Sequence, residues 1–186
     1  MCVLKGLPQT LAKSTTWFPF GIWFANANTL YVADEGNGAV GKTVATFYNA
    51  AKAQTTAGLQ KWVFNGTSWQ LAYTLSDGLN LGVPYTVTGY PTGDNPATGL
   101  PWSPATDGLR NLTGRVNPDG SVTIWAITST VSGSGDQGAD PNKLVSITDQ
   151  PGATSAASGE SFQTVQTAAN AQVLRGVSFT PGTASR

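Results

Sequence analysis

Apolar and polar positions alternate in short bursts along the chain, with turn-forming residues between the bursts. The first apolar run is Gly21-Ile22-Trp23-Phe24-Ala25, broken by Asn26-Ala27-Asn28 and followed by Thr29-Leu30-Tyr31-Val32-Ala33-Asp34. Residues 58–64 form a third run, ended by Asn65-Gly66, the strongest short hairpin signal. A fourth covers residues 69–75, with Trp69, Leu71 and Tyr73 on one face and Gln70, Ala72 and Thr74 on the other. The cycle then restarts. Residues 112–116 lead into the turn Asn117-Pro118-Asp119-Gly120, and further runs cover residues 121–127, 143–148 and 162–167. Residues 173–180 read as an additional edge strand. These spacings predict an all-β protein made of four-strand units.

The openings Gly21-Ile22-Trp23-Phe24, Gly114-Arg115-Val116-Asn117 and Gly176-Val177-Ser178-Phe179 each start with glycine and run into a turn. Self-similarity over a few tens of residues signals a radial repeat. The competing reading is a sandwich of unrelated hairpins. The phrases Asn28-Thr29-Leu30-Tyr31-Val32-Ala33-Asp34, Gly58-Leu59-Gln60-Lys61-Trp62 and Gly176-Val177-Ser178-Phe179-Thr180-Pro181-Gly182 resemble the repeats of bacterial β-propellers of the YVTN and NHL type. The ending, residues 173–183, is similar to the terminal strand of uncharacterised bacterial secreted propellers. The resemblance implies two four-stranded antiparallel blades with flanking strands, in a secreted or periplasmic setting, and no particular activity. The units are a blade at 18–75, an insertion at 76–108, a blade at 109–168 and an edge strand at 173–180. Two blades cannot close a ring, for which about four are needed. The chain is therefore expected to be a C-terminal fragment, or a protomer whose ring is completed by other copies. The expected partners are the missing blades or further copies, with a glycan or a protein as ligand.

Composition narrows the chemistry. Charged residues make up only 11% of the 186 positions, and acidic and basic residues balance at ten each. No basic stripe meets nucleic acid, and no apolar run is long enough to span a bilayer. The absence of histidine removes the Ser-His-Asp triad and the commonest metal ligand. Cys2 is the single cysteine, which excludes an intrachain disulfide. No signal peptide is visible at the start. Catalytic residues are not identifiable, and no cofactor or metal is expected. The loop Ser134-Gly135-Asp136-Gln137-Gly138-Ala139-Asp140-Pro141-Asn142 offers oxygens but lacks EF-hand spacing.

Two features remain open. Gly36-Asn37-Gly38-Ala39-Val40-Gly41-Lys42-Thr43 matches the phosphate-loop pattern, with Gly36 and Gly41 for backbone approach, Lys42 for charge and Thr43 for a magnesium ion. A short helix within residues 43–53 would supply the helix start, and Asp149 imitates an acidic strand end. Against this stand the missing helical periodicity beyond residue 57 and the ease with which Gly/Asn-rich turns produce such matches. The insertion at 76–108 carries Tyr85, Tyr90 and Trp102. It reads either as a binding loop or as a connection packed by its own aromatics. Trp102, between prolines, is its best solvent-facing candidate. Trp23, Trp62, Trp69 and Trp125 are expected to fill the space between blades.

Overall fold

The computed structural model describes residues 3–8, 17–134 and 140–180. β1 (Pro19–Asn26) and β2 (Thr29–Asp34) are joined by the Asn-rich break, where the Asn26 side chain accepts a bond from the Asn28 N–H. A loop and the single helical turn α1 (Asn49–Lys52) lead to β3 (Gly58–Phe64). The Asn65-Gly66 turn then returns the chain as β4 (Trp69–Leu75). Asn65 Oδ1 accepts the N–H groups of Thr67 and Ser68, each at 2.9 Å, so its own side chain closes the turn. The second unit is β5 (Ala105–Val116), β6 (Val122–Val131), β7 (Lys143–Asp149) and β8 (Gln163–Thr167). The result is two four-stranded antiparallel sheets, each a simple meander in chain order.

The four strands expected in the first unit form where the alternation places them. The second unit differs at its start. β5 begins at Ala105, inside the expected insertion, because Thr106-Asp107-Gly108 continues the strand through a bulge instead of turning. Residues 173–180 form no strand. The segment is fastened by a side chain: Asn142 donates to the Leu174 carbonyl at 2.9 Å and accepts its N–H at 2.8 Å. The helix is confined to four residues, well short of the span 43–53.

The sheets pack face to face, with β1 lying chiefly against β5. Glycine permits this approach. A Cβ on Gly21 would stand 2.7 Å from Leu112 Cδ2, and one on Gly114 would stand 2.7 Å from the Trp23 ring. Gly176, the third repeat-opening glycine, has nothing near its Cβ position. Between the sheets lies the main core, where Tyr31, Ala33, Leu59 and Leu75 meet Leu109, Val122, Ile124, Ala126, Val145 and Ile147.

The tryptophans divide between faces. Trp23 packs against the core between the sheets. Trp62 and Trp69 lie on the opposite face of the first sheet with Leu30 and Val32, under Leu4, Leu7 and Trp17. Trp125 is half-buried and rests edge-on against Phe179. On that outer face of the first sheet, Ile22 and Phe24 of β1 remain 47 and 48% exposed, with Leu71 of β4 at 44%, while Phe20, the extra residue of a bulge, is 49% exposed beside Arg110.

Candidate functional site

The strand register assembles the most polar region of the core. Trp23 pairs with Tyr31, Tyr31 with Lys61 and Lys61 with Tyr73, so one row crosses all four strands of the first sheet on the face turned to the second. Alternation along β3 turns Leu59 and Lys61 inward, while Gln60 and Trp62 face outward. The lysine side chain is fully buried and reaches the far end of β7. Its Nζ lies 3.2 Å from Asp149 Oδ2 and donates to Tyr73 Oη at 2.8 Å, the Gln150 carbonyl at 2.6 Å and the Ala153 carbonyl at 3.0 Å. Asp149 accepts the Tyr31 hydroxyl on Oδ2 and the Tyr73 hydroxyl on Oδ1, the latter at 2.7 Å.

Burial pushes the Lys61 amine below its usual range, and the Asp149 carboxylate pulls it back. Burial, reinforced by the bond to Asp149, drives both tyrosine hydroxyls well above the ordinary phenol range. Glu160, in the loop after β7, is raised chiefly by burial and further by Asp149, with the Ala157 N–H and Lys61 opposing. A cavity of about 290 Å³ opens beside this group, lined by residues 148–150, Ala153 and 157–160. Chemically the group is a closed lock. The amine's donors are spent on oxygens, and the carboxylate holds two hydroxyls, so neither is presented as a nucleophile or base. The lock ties β3 and β4 to the turn after β7.

A second polar junction lies where β2 ends. Asp34 Oδ1 accepts the Gly36 N–H at 3.0 Å, and its Oδ2 accepts the Phe18 N–H at 2.9 Å and Gln60 Nε2 at 3.2 Å. Asp107, fully buried in β5, accepts the Gly38 N–H at 2.8 Å and the Gln54 side chain. Burial lifts the Asp107 carboxyl to about 6, with the Gly38 and Gln54 bonds opposing. The Glu35 carboxylate pairs with Arg110 Nε at 2.9 Å.

This junction bears directly on the phosphate-loop reading. The N–H groups of Gly36 and Gly38, which a phosphate would need, bind carboxylates instead. Gly41 donates its N–H to the Phe47 carbonyl at 3.0 Å. Lys42 and Thr43 are exposed, and Thr43 lies within hydrogen-bond distance of Thr46 Oγ1 rather than at a helix start. α1 begins only at Asn49. Asp149, offered by the sequence as the acidic partner, is bound to Lys61.

The insertion folds back on the second sheet. Tyr85 donates to the Pro141 carbonyl at 2.7 Å, and Lys143 Nζ sits 3.8 Å from the centre of its ring. Tyr90 donates to Asp140 Oδ1 at 2.6 Å, and burial together with that carboxylate raises its hydroxyl to about 12. These two tyrosines thus come together on the segment 140–143. Trp102 stands apart and half-buried in a closed turn, with its backbone N–H on the Gly93 carbonyl. Of the oxygen-rich loop expected at 134–142, residues 135–139 lie outside the described residues.

Sequence reasoning passed over Lys61. The available signal was a lone cation in the inward-facing row of an otherwise apolar strand. The two stacked antiparallel meanders define an all-β protein whose sheets are joined by buried polar locks. No protein-family model, curated protein or solved structure matches the chain. No helix among the described residues is long and apolar enough to cross a membrane.

Proposed function

We propose that the two sheets are adjacent blades of a β-propeller, serving as a non-enzymatic structural or binding module of a secreted or surface protein. The observation that carries this reading is the exposure, among the described residues, of apolar side chains on the outer face of β1, beside the part of that face that Leu4, Leu7 and Trp17 cover. One face of the first sheet is filled by the second sheet, while Ile22 and Phe24 of β1 on the other face stay about half exposed. Neighbouring exposed apolar side chains on one strand face suit an interaction surface. In a ring of blades, each sheet is covered on both faces by its neighbours. The meander order of each sheet and the glycine-permitted approach of β1 to β5 support the same arrangement. The fully engaged Lys61–Asp149 group supports a structural role for the polar seam over catalysis at it.

The test is self-association of the purified chain. Light scattering after size exclusion should show concentration-dependent oligomers, abolished in Ile22→Lys/Phe24→Lys with an unchanged circular dichroism spectrum. A chain that stays monomeric at all concentrations and binds no hydrophobic dye would remove the support for a blade stacked on this face.

A further inference from the structure

A second pocket, of about 190 Å³, lies where edge strand β1 meets β5 and β6, away from the Lys61 lock. Its lining includes Phe20, Arg110, Asn111, Ile127, Leu174 and Arg175. Two strand irregularities build it. In β5, Leu109 pairs with Thr128 and Leu112 with Ala126, so Arg110 and Asn111 together oppose the single residue Ile127. In β1, Pro19 pairs with Asp34 and Gly21 with Ala33, which makes Phe20 the extra residue of a second bulge. A bulge breaks the strict in–out alternation and re-aims side chains. Here the extra residues of both bulges line one pocket.

A further wall is held by Asn142. Asn142 is 4% exposed and spends its side chain on the Thr128 carbonyl and on both backbone groups of Leu174. That clamp fixes residues 173–175 across the second sheet and brings Arg175 to the rim. Arg175 is exposed and unpaired among the described residues. Arg110 gives its Nε to Glu35 and stacks its guanidinium 5.3 Å from the centre of the Phe20 ring. The pocket thus combines two guanidinium groups and an amide with the apolar surfaces of Phe20, Ile127 and Leu174.

We propose that this pocket binds a small organic carboxylate carrying an apolar tail. A guanidinium presents parallel N–H donors that match a planar carboxylate, and the apolar surfaces give the tail a place out of water. A bare inorganic anion would leave those surfaces uncovered. The single acid Glu35 offsets one of the two arginines, so the rim keeps a net positive charge for the ligand. This inference concerns residues within one chain and stands independently of the propeller reading.

Benzoate is the probe, followed by amide chemical-shift changes in the intact chain, with benzyl alcohol and inorganic phosphate as the uncharged and apolar-free controls. Benzoate should bind saturably, with shifts centred on residues 110–111 and 174–175. Arg175→Gln, at an exposed position, should weaken binding about tenfold, as expected for loss of a charged hydrogen bond, without changing the melting temperature of the free protein. Asn111→Ala should weaken it less. Absence of saturation, equal binding of phosphate or benzyl alcohol, or an unchanged affinity in Arg175→Gln would each overturn the proposal.

Discussion

Replacing Lys61 with methionine keeps most of the side-chain volume and removes the amine. The side chains of Lys61 and Asp149 are 0 and 1% exposed, so the pair has almost no water to fall back on. The substitution leaves Asp149 with the Tyr31 and Tyr73 hydroxyls and the neighbouring Glu160 carboxyl, and takes the donor from the Gln150 and Ala153 carbonyls. Breaking one side of a buried ion pair costs about 3–5 kcal/mol, mainly because the remaining charge stays buried and uncompensated. The carbonyls lie beside the cavity lined by Gln150 and Ala153, where water can reach them, which keeps the cost inside that range instead of above it. In a chain of this size the melting temperature should fall by about 6–20 °C. Urea unfolding followed by tryptophan fluorescence measures the change, and an unchanged slope confirms that the same surface is exposed. Asp149→Asn alone should also be costly. The double variant Lys61→Met/Asp149→Asn should recover about 1–3 kcal/mol relative to the sum, because no charge is stranded. A loss below about 1 kcal/mol for Lys61→Met, or strict additivity in the double variant, would refute the lock as a buried ion pair.

Asp107 gives a pH signature. Its carboxyl titrates near 6 in the fold against 3.8 as the reference, so the folded state holds the proton more tightly. Its contribution to stability is full below pH 3.8 and is lost as pH rises through 6, a span of about 3 kcal/mol. Asp107→Asn should therefore flatten urea midpoints between pH 4.5 and 7.5 relative to the parent chain, and parallel curves would contradict this. Gly114→Ala places a methyl 2.7 Å from the Trp23 ring and should cost about 1–3 kcal/mol with a shift in tryptophan emission; an unperturbed melt would show that β1 and β5 lie further apart. Asn142→Ala removes both bonds to Leu174, so amide exchange at Leu174 should accelerate and trypsin should cut after Arg175 sooner. Unchanged exchange there would mean that the segment is held by something other than Asn142.

The strands of the first sheet were legible because local chemistry decides them. Asn65-Gly66 fixes the β3–β4 hairpin, and β4 follows it, but Trp69, Leu71 and Tyr73 do not share a face as the alternation predicted: a bulge opposite Lys61/Trp62 turns Tyr73 to the core between the sheets while Trp69 stays on the outer face. The start of β5 was not legible, because Asp107-Gly108 has turn chemistry on paper. It stays in the strand since Asp107 is held by Gly38 and Gln54, more than fifty residues away. The same limit hid the polar seam. Lys61 and Asp149 lie 88 positions apart, and their meeting depends on how two sheets stack, which no local pattern encodes. The phosphate-loop pattern, which the rest of the sequence already argued against, shows the complementary limit. Its residues are right, but the carboxylates of Asp34 and Asp107 occupy the amides that give the motif its chemistry. Of the insertion's aromatics Tyr85, Tyr90 and Trp102, the two tyrosines meet on the segment 140–143, whose groups take their hydroxyls, and that meeting was not legible because the partners lie about fifty residues away.

The most direct test of the blade reading is an experimental structure of the chain in its associated form, or within a longer protein that contains it. A further antiparallel sheet should be packed on Ile22 and Phe24, stacked in the same sense as β5–β8 stacks on β1–β4, with the sheets closing into a ring. A two-sheet sandwich with that face open to solvent, or covered by helices, would contradict it.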